Sequence, residues 1–235
     1  MNKRIKMRYR TVFKTALLLS TLILTHVLNA QNFNKYKGLP FIMNYTTADY
    51  NAHEQNFDII QDSDGIMYFA NFSGILEFDG TFWKKTATSS GMRVLSLDID
   101  SEGTIFAGGL SDFGYMTHND VGESVFISLA DTLNYDVGMI FKVICGKEAV
   151  YFFSKNSMFI SKNSKIKKID FNNKALNAFL SPVTDSKDEL LIFFERDLND
   201  FSKLQNGLTL YKNDQFSKLT DNSGSQIVDM QTVFK

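Results

Sequence analysis

Cysteine, proline, histidine and tryptophan are scarce in this chain. Its 235 residues include one Cys, two Pro, three His and one Trp. The single cysteine, Cys145, excludes an internal disulfide, and its apolar surroundings favour a small core residue over a nucleophile. His26, His53 and His118 have no Cys or second His at metal-ligand spacing. The sequence therefore predicts neither a metal site nor a cofactor.

Common catalytic signatures are missing as well. The chain contains no G-x-S-x-G, H-E-x-x-H or P-loop motif. Asp62-Ser63-Asp64-Gly65 looks like the start of a calcium loop, but it lacks the later acidic ligands that such loops require. The motif recurs as Asp100-Ser101-Glu102-Gly103, which favours a turn. On these grounds we expect no catalytic activity.

Charge separates the first 30 residues from the rest. They contain six basic and no acidic residues. Of 25 basic residues in the whole chain, 19 therefore remain, against 26 acidic residues, so the remainder carries a net charge of −7. This acidic body gives no electrostatic basis for nucleic-acid binding, and no such partner is predicted.

Residues 1–30 are predicted to be a signal peptide. A basic region ending at Lys14 precedes an apolar run, residues 16–27, and the small residue Ala30. The run is shorter than the roughly 20 apolar residues that span a bilayer, and an uncleaved membrane anchor is the alternative. We therefore expect an exported protein at the periplasmic or extracellular face. Residues 31–54 are predicted to be an extended N-terminal segment.

Short β-rich runs dominate the chain after residue 54. Aromatic residues make up 14% of the chain, including 22 Phe, and such residues favour half-buried strands. Residues 55–86 contain four such runs, separated by Asp62-Ser63-Asp64-Gly65, Asn71-Phe72-Ser73-Gly74 and Asp79-Gly80. Asp-Gly pairs between apolar runs are a strong hairpin signal. The stretch therefore predicts a four-stranded meander, which needs copies of itself to bury both faces.

The meander recurs along the chain. Residues 62–70 are echoed by residues 100–108, and weaker copies begin near Phe141 and Phe179. A spacing near 40 residues with four strands per unit is typical of β-propeller blades. The predicted fold class is therefore all-β, a β-propeller of about four four-stranded blades. These blades are placed at residues 55–88, 92–130, 139–172 and 177–220.

Residues 225–235 look like the first strand of a fifth unit. Because an open strand leaves backbone groups unpaired, we expect an incomplete propeller, either truncated or the N-terminal fragment of a longer protein. The alternative is a small complete propeller whose last strand comes from residues 41–45.

Residues 38–117 resemble the two-component regulator propeller repeat, which reads D-x-x-G-x-L-W-[IV]-G-T, then Gly-Leu, then aromatic-Asp-Gly. The matching positions are Asp62, Gly65, Met67, Gly74, Ile75, Phe78, Asp79, Gly80, Asp100, Gly103, Ile105 and Gly108. In the first copy Tyr68 replaces the Trp of the repeat, Ala70 its Gly and Asn71 its Thr, and in the second copy Phe106 replaces the Trp. The resemblance implies an extracytoplasmic sensory propeller with a larger, seven-bladed ring.

In such proteins the propeller precedes a triple-tyrosine domain, a transmembrane helix and a cytoplasmic histidine kinase or helix-turn-helix domain. The resemblance thus implies a transmembrane transcriptional regulator or hybrid sensor kinase. The expected partners are the missing blades and output domains, with membrane contact only through the parent's transmembrane helix. The alternative is an exported carbohydrate-active or other propeller enzyme, which would need acid and base groups at the ring centre. The few candidates there are Asp58, Asp98 and Lys142.

A binding face follows from strand alternation. The second-to-third and fourth-to-first connections lie on one side, here called the loop-rich face, and the other turns form the tight-turn face. Long loops on a rigid scaffold often carry recognition. We therefore expect a small extracellular ligand, such as a glycan fragment, to bind the loop-rich face. The candidate binding residues are Asn71, Arg93, Asp112, Glu195 and Arg196.

Overall fold

The computed structural model describes residues 42–89, 91, 93–180, 188–195, 205 and 207–219. The chain divides into two units, Met1–Asn44 and Tyr45–Lys235, and all described strands belong to the second. The predicted signal peptide, Arg196 and the strand predicted at 225–235 lie outside the described residues. Within them, no helix has both the length and the apolar character needed to cross a bilayer.

Sixteen described strands form four antiparallel sheets of four strands each. The first sheet contains β1 Asn56–Gln61, β2 Met67–Asn71, β3 Gly74–Phe78 and β4 Trp83–Thr86. The second contains β5 Val94–Ile99, β6 Ile105–Gly109, β7 Phe113–His118 and β8 Ser124–Ser128. The third contains β9 Lys142–Cys145, β10 Val150–Phe153, β11 Ser157–Lys162 and β12 Lys165–Asp170. The fourth contains β13 Ala175–Leu180, β14 Glu189–Phe194, β15 Gly207–Lys212 and β16 Gln215–Lys218.

In every sheet the spatial order of the strands follows the chain, which confirms the prediction of consecutive meanders. A short helix, α1 Thr47–Tyr50, precedes the first sheet, and a 3-10 turn, Ala130–Thr132, lies between β8 and β9. The first strands of successive sheets contact one another, so they form the innermost layer. Among the described strands, the four sheets do not close into a ring.

The first strand of the fourth sheet departs from the sequence prediction. The sequence places the fourth blade at residues 177–220, whereas β13 starts at Ala175. Asn177 makes the sequence of this segment resemble a loop, because Asn is depleted in β-strands. It lies beside a register shift between Ala175 and Asn177, and its Oδ1 accepts the N–H of Ala178. The polar side chain is therefore accommodated inside the strand by a local hydrogen bond.

The cores lie between successive sheets. Tyr68, Ile75 and Leu97 belong to one buried cluster between the first and second sheets, while Phe113 packs on Phe152 between the second and third. A further cluster, which includes Phe153, lies between the third and fourth sheets. Adjacent residues of β10 thus face opposite cores, as the period of two in a strand requires. Burying such a side chain stabilises the fold by about 1.5–3 kcal/mol.

Carboxylates of the innermost strands also join neighbouring sheets. Asp58 Oδ2 accepts hydrogen bonds from Ser96 Oγ at 2.9 Å and from the N–H of Leu97 at 3.1 Å. Asp98 Oδ2 accepts the N–H of Cys145 at 2.7 Å. Both of the central carboxylates identified in the sequence therefore tie one first strand to the next.

Candidate functional site

A cleft lies between the third and fourth sheets. Its volume is about 550 Å³, and we call it the inter-sheet cleft. Its lining residues come from both sheets: Glu148, Ala149, Tyr151, Ile160, Lys162, Lys165, Ile166, Lys167, Asp188, Tyr211, Asn213 and Asp214. Since these residues cluster at the turns β9–β10, β11–β12 and β15–β16, the cleft opens on the tight-turn face. That is opposite to the face on which the sequence predicts binding.

Two tyrosines with engaged hydroxyl groups line the cleft. The hydroxyl of Tyr151 donates to Asp188 Oδ2 at 3.0 Å, and that of Tyr211 donates to Asp214 Oδ1 at 2.7 Å. Burial raises the pKa of both phenols, and the neighbouring carboxylates raise it further. Both tyrosines therefore stay neutral at physiological pH and present an apolar ring with a polar tip.

Charged side chains form the rim of the cleft. Lys162 Nζ lies 2.8 Å from Glu148 Oε2, and Lys167 Nζ lies 2.9 Å from Asp214 Oδ2. The Tyr211 hydroxyl and the Lys167 ammonium lower the pKa of Asp214. Lys165 forms no ion pair with any residue that the structure describes, so its ammonium group is available to a ligand.

Asp188 is the residue that joins the two walls. Its carboxylate accepts the N–H groups of Lys147 at 2.6 Å, Glu148 at 3.0 Å and Ala149 at 3.2 Å. With the Tyr151 hydroxyl, these groups form a set of four donors, here called the cradle. Successive N–H groups that converge in a turn make an anion-binding concavity. A carboxylate that precedes β14 therefore holds the β9–β10 turn of the neighbouring sheet.

In the first and second sheets a local aspartate fills this role. Asp62 Oδ1 accepts the N–H groups of Asp64 and Ile66, and its Oδ2 accepts the hydroxyl of Tyr68. Asp100 accepts two N–H groups of its own turn in the same way. The third repeat has Gly146 at the corresponding turn, with no Asp. Sequence reasoning missed Asp188, and the signal available was this missing Asp beside a retained Tyr.

Gly146 is required by a close approach. Its φ angle lies outside the left-handed region, so its backbone does not demand glycine. A Cβ atom at this position would overlap the carboxylate of Asp188. Glycine at this position therefore leaves room in the β9–β10 turn for the carboxylate of Asp188, which precedes β14 of the fourth sheet.

Asn71, the first of the candidate binding residues, is fully buried. Its amide group donates to the backbone oxygens of His53 at 2.7 Å and Gln55 at 3.0 Å, and to Asn56 Oδ1 at 2.8 Å. Its Oδ1 accepts the N–H of Ser73 at 2.8 Å. Asn71 thus fastens the segment that enters β1 to the β2–β3 turn, and its polar atoms are committed to the fold.

Arg93 and Asp112 lie together at a small void lined by the second sheet and by Thr88 of the β4–β5 connection, on the loop-rich face. Asp112 is only 5% exposed, and burial raises its pKa. One carboxylate oxygen accepts the hydroxyl of Ser128 at 2.6 Å. The other oxygen and Nε of Arg93 are buried without a hydrogen-bond partner among the described residues. The guanidinium carbon lies 5.9 Å from the ring centroid of Phe72.

The last two candidates lie at the start of the β14–β15 connection. Glu195 is exposed and pairs with Lys174 at 3.4 Å, while Arg196 lies outside the described residues. Of the four candidates that the structure describes, only Arg93 and Asp112 line the same void. A joint binding role for the five residues stays a prediction.

A second cleft, of about 450 Å³, does open on the loop-rich face. It lies beside the third sheet and is lined by Asp136, Val137, Gly138, Met139, Ser154, Lys155, Asn156, Ser157, Lys168 and Asp170. None of the candidate binding residues that the structure describes belongs to this lining. Lys168 pairs with Asp170 at 2.8 Å and lies over the ring of Tyr135. This cleft is smaller and lacks the paired tyrosines of the inter-sheet cleft.

No protein-family model and no curated protein matches this sequence. Solved structures do match its fold. Virginiamycin B lyase from Staphylococcus aureus superposes with a TM-score of 0.54 at 13% identity, over 72% of this chain and 56% of that one. The WD40 beta propeller domain of Doa1 gives 0.51 at 15% identity, over 70% and 54%.

The extracellular domain of a hybrid two component system from B. thetaiotaomicron also matches. Its TM-score is 0.52 at 11% identity, over 82% of this chain and 28% of that one. The chain thus spans about half the length of the lyase and of the Doa1 domain, and less of the extracellular domain. These likenesses show the fold, which is that of a β-propeller.

The comparison corrects one expectation. The sequence, with few acids at the ring centre, predicts a protein without catalytic activity. That expectation is wrong, because this fold is compatible with catalysis. The matching virginiamycin B lyase is an enzyme with the same propeller fold. Asp58 and Asp98 are engaged in hydrogen bonds between the first strands of neighbouring sheets. Their engagement does not exclude a reaction at other residues of the chain.

Proposed function

We propose that this chain is the ligand-recognition part of an exported sensory propeller. Its ligand is a small polar extracellular molecule, such as a glycan fragment, bound in the inter-sheet cleft. One observation carries the proposal: a cleft of about 550 Å³ combines the rings of Tyr151 and Tyr211 with charged groups at its rim. Ligand sites of this size are concave, largely preformed and lined by aromatic residues with a few polar groups.

The chemistry of the lining suits a polyhydroxylated ligand. Asp188, Asp214 and Lys165 supply acceptors and donors for hydroxyl groups. Tyr151 and Tyr211 are only 6% and 3% exposed, so they contribute a small apolar part of the wall. The ion pairs at the rim fix the long side chains of Lys162 and Lys167. A preordered rim reduces the entropy that binding must remove.

Export and sensing are supported by the sequence and by one structural likeness. The basic and apolar start of the chain is typical of a signal peptide. The repeats resemble those of two-component regulator propellers, and one matching structure is the extracellular domain of a hybrid two component system. In this proposal, transmembrane and output domains of a parent protein convert binding into a signal.

Further propeller blades are the expected protein partners. Phe57 and Ile59 of β1 are exposed, as are Leu176 and Leu180 of β13. These strands belong to the first and last described sheets, while strands between sheets bury such residues. Additional sheets beside β1 and β13 would cover this apolar surface.

Matched charge reversals on the two faces test the site. Lys165→Glu alters the rim of the inter-sheet cleft, and Lys155→Glu makes the same change in the cleft on the loop-rich face. Calorimetric titration of the full chain with a set of glycan fragments should show binding that Lys165→Glu weakens by about tenfold, or about 1.4 kcal/mol. Lys155→Glu should leave it unchanged. Loss of binding in Lys155→Glu alone would place the site on the loop-rich face.

A further inference from the structure

The cradle of the third sheet is a carboxylate site whose occupant comes from another sheet. In the first sheet the acceptor, Asp62, lies two to six residues from its donors. In the third sheet Asp188 lies 37 to 41 residues from the groups that it accepts. A local acceptor is held in place by its own turn, whereas a distant one can leave without unfolding the turn that it caps.

The donors that remain when Asp188 leaves define the preferred ligand group. Three backbone N–H groups, those of residues 147–149, and the hydroxyl of Tyr151 converge on two oxygen atoms. Charge-assisted hydrogen bonds of this kind are about twice as strong as neutral ones. A second carboxylate reproduces this pattern, whereas a neutral hydroxyl group satisfies only part of it.

The charges of the inter-sheet cleft also favour a ligand that carries a carboxylate. Its lining contains three ammonium groups, on Lys162, Lys165 and Lys167, and three carboxylates, on Glu148, Asp188 and Asp214. With Asp188 withdrawn, the lining keeps three positive and two negative charges. One ligand carboxylate restores neutrality, and Lys165, which has no ion-pair partner among the described residues, provides a cation in the same lining.

We propose that the cleft binds a sugar that carries a carboxylate, and that this carboxylate replaces that of Asp188 in the cradle. The inference rests on the proposed function and names its ligand class. Because Asp188 also links the third and fourth sheets, the exchange removes this polar link, while the apolar core between the two sheets remains. Differential affinity for the states with and without this link is what a sensor needs in order to respond.

D-glucuronate and D-glucose form the matched probe pair, since they differ at the carboxylate. The full chain should bind glucuronate at least tenfold more tightly than glucose in calorimetric titrations. Asp188→Ala removes the internal competitor and should bind glucuronate about tenfold more tightly than the wild-type chain does. Equal affinity for the two sugars overturns the acidic-ligand inference and leaves the proposed function standing. Failure of either protein to bind glucuronate also overturns the inference.

Two further measurements keep the inference testable if Asp188→Ala folds poorly. Acetate should raise the Tm of Asp188→Ala, and acetamide should not, since only acetate supplies the missing carboxylate. Asp64→Ala, at an exposed turn position, controls for general effects of acetate. In the wild-type chain, glucuronate should shift the amide NMR signals of residues 147–149. Acetate and acetamide acting equally on Asp188→Ala, or unshifted amides in the wild-type chain, would contradict the exchange.

Discussion

The turns of the first and third sheets perform the same task with acids from different places. In the first sheet, Asp62 accepts the N–H groups of its own turn and the hydroxyl of Tyr68. In the third sheet, Asp188 of the following repeat accepts the corresponding groups and the hydroxyl of Tyr151. Both turns use backbone N–H groups and a tyrosine hydroxyl as donors, whereas the acceptor of the third sheet's turn comes from the neighbouring sheet. A local cap thereby becomes a link between sheets, at the wall of the inter-sheet cleft.

The largest expected difference concerns the two acids themselves. Asp188→Ala should lower the free energy of unfolding by about 3 kcal/mol, because it removes four charge-assisted hydrogen bonds and a tie between two sheets. Asp62→Ala should cost only about 1–2 kcal/mol, since water and the local turn replace part of what is lost. Urea titration followed by fluorescence and circular dichroism measures both. Equal losses for the two variants would mean that the distant acid is no more than a turn cap.

A double-mutant cycle tests whether Gly146 is present because of Asp188. Gly146→Ala should cost about 2 kcal/mol in the wild-type chain, because the new Cβ displaces the carboxylate. In the Asp188→Ala background the same change should cost no more than about 0.5 kcal/mol. Additive costs in the same urea titrations would show that Gly146 is required for some other reason.

The two tyrosines sharpen the comparison further. Tyr151→Phe and Tyr68→Phe each remove one hydroxyl group and keep the ring, so each should cost about 1 kcal/mol. Combined with Asp188→Ala, the Tyr151→Phe change should cost almost nothing more, whereas Tyr68→Phe should keep its full cost. Thermal unfolding of the single and combined variants provides the readout. If Tyr151→Phe costs as much in the Asp188→Ala background as in the wild-type chain, the Tyr151 hydroxyl does not belong to the cradle.

The smallest effect is expected from pH. The hydrogen bond from Tyr211 and the ammonium of Lys167 hold the pKa of Asp214 below its ordinary value of 3.8. Its contribution to stability is therefore present above pH 3.8 and is lost as the pH falls through the lower pKa of the folded state. Asp214 is largely exposed, so Asp214→Asn should flatten the acid limb of the stability profile by at most about 0.5 kcal/mol. A wild-type acid limb as flat as that of Asp214→Asn would contradict this assignment.

Repetition and strand pattern made most of the fold predictable. Turn residues such as Asp62 and Asp100 act within a few positions of themselves, so their role can be deduced from local sequence. The strands of the first two sheets accordingly lie inside residues 55–88 and 92–130, where the sequence places the first two blades. The start of β13 was missed because Asn177 is accommodated by a bulge, which a loop-like sequence conceals.

The candidate site was less predictable because it depends on distant contacts. Asn71 is polar and lies in a turn, which suggested a binding role, yet its amide group serves buried backbone oxygens. Asp188 contributes through partners about 40 residues away, so no local pattern marks it. Sequence alternation did identify the two faces correctly, but it gave no information on which face has the larger cleft.

Amide hydrogen exchange tests the central claim most directly, namely that a carboxylate from the fourth sheet holds the turn of the third. We predict that Asp188→Ala accelerates exchange at Lys147, Glu148 and Ala149, while the amides of Asp64 and Ile66 keep their wild-type rates as internal references. Unchanged exchange at Lys147, Glu148 and Ala149, or equal acceleration in both turns, would contradict the account.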